Sequence, residues 1–280
     1  MSRSILITGC SSGIGASAAR ILRERGWRVF ASARQLCDVE RLHAEGFDAL
    51  LLDLDDSTSI HAAVNTLLTR TGGRLDALFN NGAYGLPGAV EDLSRDALRA
   101  QFETNLFGGL ELTNLLIPVM RRQGHGRIVQ CSSVLGFAAF PYRGAYNATK
   151  FALEGLTDTL RMELRGTGIQ ISLIEPGPIQ TRFRANAHKA FLRWITIEGS
   201  AHEAQYRRQL ERLTMEGPAA PFTLPPEAVV EKLIHALDSP RPRLRYPVTL
   251  PTIAFGWLRR LLPGRWMDAV LVRASGGGRR

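Results

Sequence analysis

The sequence predicts an α/β protein: a single doubly wound parallel sheet of about seven strands, with helices on both faces and a helical cover over one end. Short apolar runs rich in β-branched residues alternate with amphipathic stretches of helical period, the pattern of parallel strands joined by crossover helices. A glycine-rich turn, Thr8-Gly9-Cys10-Ser11-Ser12-Gly13-Ile14-Gly15, follows the first apolar run and opens the first helix. At 280 residues, 45% of them hydrophobic, the chain is long enough to bury one large core, so a single domain over residues 1–280 is expected.

The periodicity places strands at residues 4–8, 28–32, 49–53, 77–80, 127–132 and 170–175, and a late edge strand at 244–247. Helices are expected at 14–25, 57–71, 95–122 with a break, and 146–166. From Gly177 the regularity lapses into an insertion, 177–221, whose aromatic and charged residues suit a substrate lid better than a domain. Pro225-Pro226-Glu227 then starts a helix running to Asp238, because proline suits a helix start and Glu227 suits its positive end. The chain closes with an apolar and basic tail, 246–280.

Composition excludes several classes. No apolar run approaches the roughly 20 residues that span a bilayer. Ile5-Leu6-Ile7 is too short for the core of a secretory signal, so export is not expected. Cys10, Cys37 and Cys131 are widely spaced and suggest neither a disulfide framework nor a zinc site, which points to a reducing cytoplasm. The six histidines form no H-E-x-x-H pattern, and no metal is expected. The formal charge of +9 comes from dispersed arginines without a nucleic-acid-binding motif, so no nucleic-acid partner is expected. Lysine is kept at three places only, Lys150, Lys189 and Lys232.

In the glycine-rich turn, glycines allow a tight bend and close approach of a diphosphate, which helix-terminal N–H groups then hold. The same octet matches G-x-S-x-G, so a hydrolase with Ser11 as nucleophile is the rival; it would need an acid and then a histidine downstream, and an oxyanion loop that nothing before the first strand provides. The second strand ends Ser32-Ala33-Arg34 without the carboxylate that grips a ribose 2′-hydroxyl. Ser32 and Arg34 suit a 2′-phosphate instead, which selects NADP(H).

Tyr146 and Lys150 stand four apart in a helical segment and share one face, so the ammonium can lie near the phenol. Ser132-Ser133 ends the fifth strand, and Asn105 lies within a helix. With the glycine turn, Asn80-Asn81-Gly82-Ala83 and Pro176-Gly177-Pro178-Ile179-Gln180-Thr181, these residues resemble the short-chain dehydrogenase/reductase family over nearly the whole chain. Ser32 to Arg34, Asn81 to Gly88 and Ile174-Glu175-Pro176-Gly177 resemble its NADP(H)-using branch of 17β-hydroxysteroid and retinol dehydrogenases and bacterial aldehyde reductases.

The resemblance implies a Rossmann-type fold and a tetrad of Asn105, Ser133, Tyr146 and Lys150. Ser133, thirteen residues before Tyr146 as in the family, is preferred to Ser132 and would bond the substrate oxygen. Tyr146 would exchange its proton, helped by the Lys150 charge, and Lys150 would also hold the nicotinamide ribose. Asn105 would support a water chain from Lys150. The resemblance further implies that Gly9, Ser11, Ser12, Gly13, Ile14 and Gly15 cradle the cofactor, with Asp53 and Leu54 at its adenine, Asn81 at a ribose, and Pro176, Ile179 and Thr181 along its nicotinamide end. Gly82-Ala83 departs from the family's Asn-Asn-Ala-Gly and adds a methyl at position 83.

Tyr84, Leu86, Phe137, Phe140 and Tyr142 lie in loops at strand ends and favour an apolar carbonyl or alcohol substrate such as an aldehyde, retinoid or steroid. The tail mixes Phe255, Trp257, Leu258, Leu261, Leu262 and Trp266 with Arg259, Arg260 and Arg265; it suits peripheral contact with a membrane, or a cover for the protein's own pocket or a partner subunit. The family implies a homodimer or homotetramer built on the 105–122 and 146–166 helices. An NADP-binding protein without turnover is the remaining alternative.

Overall fold

The computed structural model describes residues 2–215, 217 and 220–275. Its centre is one seven-stranded sheet in the order β3-β2-β1-β4-β5-β6-β7. The strands are β1 (Ser4–Ile7), β2 (Arg28–Ala33), β3 (Asp48–Leu51), β4 (Ala77–Asn80), β5 (Gly126–Cys131), β6 (Ile169–Glu175) and β7 (Arg245–Pro247), and every pair is parallel. The order reverses between β1 and β4, which opens a crevice at their carboxyl ends, the place where such sheets bind ligands.

Both faces of the sheet are covered, and this explains the short apolar-rich runs read as strands. Alternation along β1 sends Ile5 and Ile7 to one side and Leu6 to the other. On the first side lie α1 (Gly13–Glu24), α2 (Leu36–Ala44) and α9 (Glu227–Asp238), through residues such as Ala18, Leu42 and Leu233. On the second lie α3 (Ser57–Thr71) and α5 (Gly108–Gln123), with Leu67, Leu112 and Leu116 buried; α6 (Gly144–Glu163) adds the partly buried Leu160.

Several elements differ from expectation. α2 was not expected: its nine residues carry a single buried apolar position, Leu42, so no apolar stripe marks it. The break expected within 95–122 is a π-helical turn, Glu103–Phe107, joining α4 (Arg95–Phe102) to α5. The cover over 177–221 is helical as expected, with α7 (Phe183–Trp194) and α8 (Glu203–Thr214), and the tail folds into α10 (Leu250–Leu261) and α11 (Gly264–Ala274).

The α7 and α8 pair has its own small core, in which Phe191 and Tyr206 are fully buried with ring centroids 5.4 Å apart. The Tyr206 hydroxyl accepts from Ala89 N at 3.0 Å and donates to Asp92, which also accepts from Ser200 at 2.7 Å. These two donors hold the Asp92 carboxyl below the usual carboxylate range. Phe191→Ala should therefore remove about 3–5 kcal/mol of local packing. The expected outcome is faster proteolysis of the segment joining α7 and α8, measured with native Phe191 as reference, while the sheet melts with little change.

Candidate active site

The glycine turn is held from below by the end of β4. Thr8 Oγ1 accepts from Asn81 N at 2.9 Å and Gly82 N at 2.8 Å, and Asn81 Nδ2 donates to Thr8 O at 3.0 Å. Gly9 and Gly13 have φ of +73° and +61°, the left-handed region that side chains resist. At Gly15 a Cβ would fall 2.3 Å from Gly9 O, so only glycine lets α1 start there. The first turn of α1, with Ile14 in it, has no side-chain cap and no acidic residue. Its N–H groups and dipole thus suit a diphosphate beside Ser11 and Ser12, and the residues present fit a dinucleotide.

At the adenosine end, Arg34 is exposed just past β2. Ser32 is not presented to the crevice: it is fully buried and donates to Ile7 O at 3.0 Å, because its position in β2 turns the hydroxyl toward β1. Arg41, on the unexpected α2, donates to Ser11 O at 2.9 Å and holds the turn from the outside. Asp53 accepts from Asp55 N at 3.1 Å, and Leu54 is buried against Gly82, where a Cβ would lie 3.1 Å from Leu54 Cδ1. Gly82, where the family has alanine, gives Leu54 that space. Pro176 O accepts from Val134 N at 2.8 Å, Ile179 bridges to Leu224, and Thr181 packs on Gly13, so the segment after β6 closes over the turn.

The catalytic candidates converge on the amino-terminal half of α6. Tyr146 is buried, and the Lys150 Nζ lies 5.7 Å from its ring centroid and donates to Cys131 O at 2.8 Å. The Ser133 hydroxyl faces the phenol, whereas Ser132 packs against Gly136 beside Glu154. Burial pushes the phenol well above its ordinary range, and the Ser133 hydroxyl opposes that shift. Burial pulls the Lys150 ammonium down.

Asn105 sits in the π-helical turn and clamps the loop after β4. Its Oδ1 accepts from Tyr84 N at 3.0 Å, and its Nδ2 donates to Tyr84 O at 2.8 Å and Thr149 Oγ1 at 3.3 Å. The amide expected to support a water chain is thus occupied in tying Tyr84 to α6. Gln101, which the sequence reading missed, repeats the clamp one turn earlier on Tyr84 O at 2.8 Å and Leu86 N at 2.7 Å.

A partly buried ionic cluster, also missed, lies behind Lys150. Arg245 reaches Glu154 at 3.1 Å, Asp158 at 2.6 Å and Glu175 at 3.2 Å. Lys150, Glu154 and Asp158 follow one another at intervals of four on α6, a spacing that could have revealed the row. Three carboxylates share one guanidinium, so burial, followed by the neighbouring Glu154, pushes Glu175 up to about 7.

An aromatic side chain covers the phenol. Phe183, at the start of α7, lies edge-on to Tyr146 with ring centroids 5.4 Å apart and touches Gly85. Phe140 packs on Phe255, and Tyr142 bonds His202 at 3.1 Å. Leu86 is fully buried, while Tyr84 and Phe137 are partly buried. Among the described residues no histidine is hydrogen-bonded to Ser11, as a hydrolase would need: His202 and His235 bond tyrosines.

A parallel sheet with a glycine turn at its reversal, and a tyrosine and lysine beside it, defines a dinucleotide-binding oxidoreductase. The short chain dehydrogenase model matches residues 3–190. The uncharacterized oxidoreductase YbbO of Escherichia coli K12 is 46% identical over 271 residues, covering 97% of this chain and 94% of that one. Human 17-beta-hydroxysteroid dehydrogenase type 1 is 34% identical over 260 residues, covering 88% and 77%. A solved short-chain dehydrogenase from Streptomyces avermitilis superposes with a TM-score of 0.78 at 29% identity, covering 100% of this chain and 99% of its own. A solved actinorhodin polyketide ketoreductase variant with NADPH gives 0.71 at 28%, covering 88% and 95%. The chain belongs to the short-chain dehydrogenase family and is an oxidoreductase.

The shared guanidinium makes a pH prediction. Glu175 has its folded pKa raised from 4.5 to about 7, so its contribution to stability is fully present below the unfolded value and is lost as pH rises through the folded one. Native protein should melt at progressively lower temperature between about pH 5 and pH 8, by up to about 3 kcal/mol from this group. Glu175→Gln should flatten that slope; parallel melting curves for the two proteins across this range would show that the cluster does not titrate.

Proposed function

We propose that the chain is an NADP(H)-dependent oxidoreductase that passes hydride between nicotinamide and the carbonyl or alcohol carbon of an apolar substrate, with Tyr146 as general acid and base. The observation that carries this reading is the phenol of Tyr146 facing Ser133, with the Lys150 ammonium 5.7 Å from its ring, beside the glycine turn. Bound nicotinamide supplies or accepts the hydride. Ser133 donates to the substrate oxygen and fixes its direction, and Tyr146 gives its proton to that oxygen as carbonyl becomes alcohol. Burial favours the protonated phenol, which suits the reducing direction; for oxidation the Lys150 charge must draw the proton off. Lys150 also holds the nicotinamide ribose, and Asn105 positions Tyr84 and α6 around both.

Selection of NADP(H) rests on Arg34 at the end of β2, where no carboxylate stands to repel a 2′-phosphate. The NADPH of the similar ketoreductase supports it. The apolar substrate class rests on Phe183 against the phenol and on Tyr84 and Phe137 in the loops after β4 and Ser133, and the human relative's hydroxysteroid supports it. α7 and α8 act as the lid. Exposed Phe107, Phe151 and Met162 on the helices at 103–123 and 144–163 support a homodimer or homotetramer joined there. Three unpaired cysteines support a reducing cytoplasm.

With NADPH and a panel of apolar aldehydes and ketones, loss of nicotinamide absorbance should follow turnover. Tyr146→Phe should lower kcat by about a hundredfold or more while NADPH still binds; unaltered kcat removes Tyr146 from its role, and cofactor binding without turnover by the native chain supports a non-catalytic protein. Arg34→Ala should weaken NADPH by about 10- to 100-fold and NADH much less. Equal weakening of both by titration would show that the guanidinium does not read the phosphate.

A further inference from the structure

We infer that α10 and the start of α11 dock the protein on an anionic lipid bilayer, beside the turn that carries Ser133. The two sides of α10 do different things. On its inner side Thr252 is buried, Phe255 stands edge-on to Phe140 with centroids 5.6 Å apart, and Leu258 and Leu262 join the cluster of Val134 and Met267. On its outer side Leu250, Ile253, Trp257 and Leu261 follow at intervals of three, four and four, a single helical stripe. They are 65%, 43%, 60% and 73% exposed, and Trp266 at the start of α11 is 68% exposed. Singly scattered exposed apolar residues need no explanation, but a stripe that faces water along a whole helix does.

Charge decides the occupant. Residues 246–275 carry Arg259, Arg260, Arg265 and Arg273 against one acid, Asp268. Among the described residues none of these arginines has an acidic partner within ion-pair distance; Arg259 lies over the Phe151 ring and Arg260 over that of Trp257. A second copy docked through this face would set cationic rim against cationic rim, because a two-fold contact meets itself. A bilayer with anionic headgroups offers the complement: phosphates for the guanidinium groups, the headgroup boundary for the indoles of Trp257 and Trp266, and the acyl margin for Leu250 and Leu261. No helix among the described residues is long and apolar enough to cross a membrane, so the contact is peripheral.

The placement has a consequence for the substrate. The inner side of α10 packs on Phe140 and on the 3-10 turn Val134–Gly136 that follows Ser133. Docking would thus set the turn that carries Ser133 close to the bilayer, where an apolar substrate is concentrated. That consequence rests on the apolar substrate reading, whereas the docking itself does not.

The test uses the full chain and no substrate. Native protein should sediment with phosphatidylglycerol/phosphatidylcholine vesicles, much less with pure phosphatidylcholine, and be released by salt. The double variant Trp257→Ser/Leu261→Ser should lose vesicle binding by about tenfold or more, since both stripe residues leave the acyl margin. Arg260→Glu/Arg265→Glu should lose the preference for phosphatidylglycerol. All four positions are exposed, so melting temperature and NADPH binding should match the native protein, which separates loss of docking from loss of fold. Native protein that stays in the supernatant with both vesicle types overturns the inference. So does equal sedimentation of native and variant chains, or a change from dimer to monomer by light scattering in Trp257→Ser/Leu261→Ser, which would assign the stripe to a second copy.

Discussion

The attachment of the β1 end to the β4 end by Thr8 is the interaction on which the rest of the site depends. One hydroxyl accepts from both Asn81 N and Gly82 N, and the Asn81 amide returns the bond to Thr8 O. These two strands meet at the reversal of strand order, so their junction sets the floor of the crevice. From it contacts run in a continuous series. The loop goes on to Tyr84, whose backbone is gripped by Asn105; Asn105 bonds Thr149; Thr149 bonds Tyr146 O, one turn from Lys150. The position of the glycine turn and that of Tyr146 are therefore fixed against each other by a run of hydrogen bonds.

The π-helical turn at Glu103–Phe107 makes that series possible. A regular α-helix through 95–123 would place Asn105 by helical period alone; the wider turn re-aims it so that both ends of its amide meet the Tyr84 backbone. Glu103–Phe107 thus supports a clamp between two elements distant in sequence. Similar reasoning applies behind Lys150. Glu154 and Asp158 continue the Lys150 row of α6, and Arg245 from the edge strand binds both, so β7 is tied to the helix that carries the site.

Much of this was legible in the residues. Parallel strands announce themselves because both faces are buried, so β1, β5 and β6 read as short apolar-rich runs, and the glycine turn and the four-residue spacing of Tyr146 and Lys150 are local in sequence. α2 escaped because it buries only Leu42, leaving no period to detect. The inward turn of Ser32 escaped because it depends on β2 lying beside β1, a fact of pairing. Gln101 and Arg41 act through backbone groups, Tyr84 O and Ser11 O, that carry no signature of their own. A helical cover over 177–221 was expected, but the bounds of its helices and of those within 246–275 were not, because their apolar residues pack in small separate clusters, or face outward, instead of forming one inward stripe.

Closure and proton affinity are coupled at Tyr146. The phenol is held protonated chiefly by burial, and Phe183 from α7 supplies part of that cover at 5.4 Å while also touching Gly85 on the clamped loop. Phe183 follows Thr181 by two residues, and Thr181 packs on Gly13 of the phosphate-binding turn. The contact with the glycine turn and the contact with the phenol therefore fall on neighbouring parts of one segment. The side chain that shields the phenol is thus the one that also meets the loop held by Asn105.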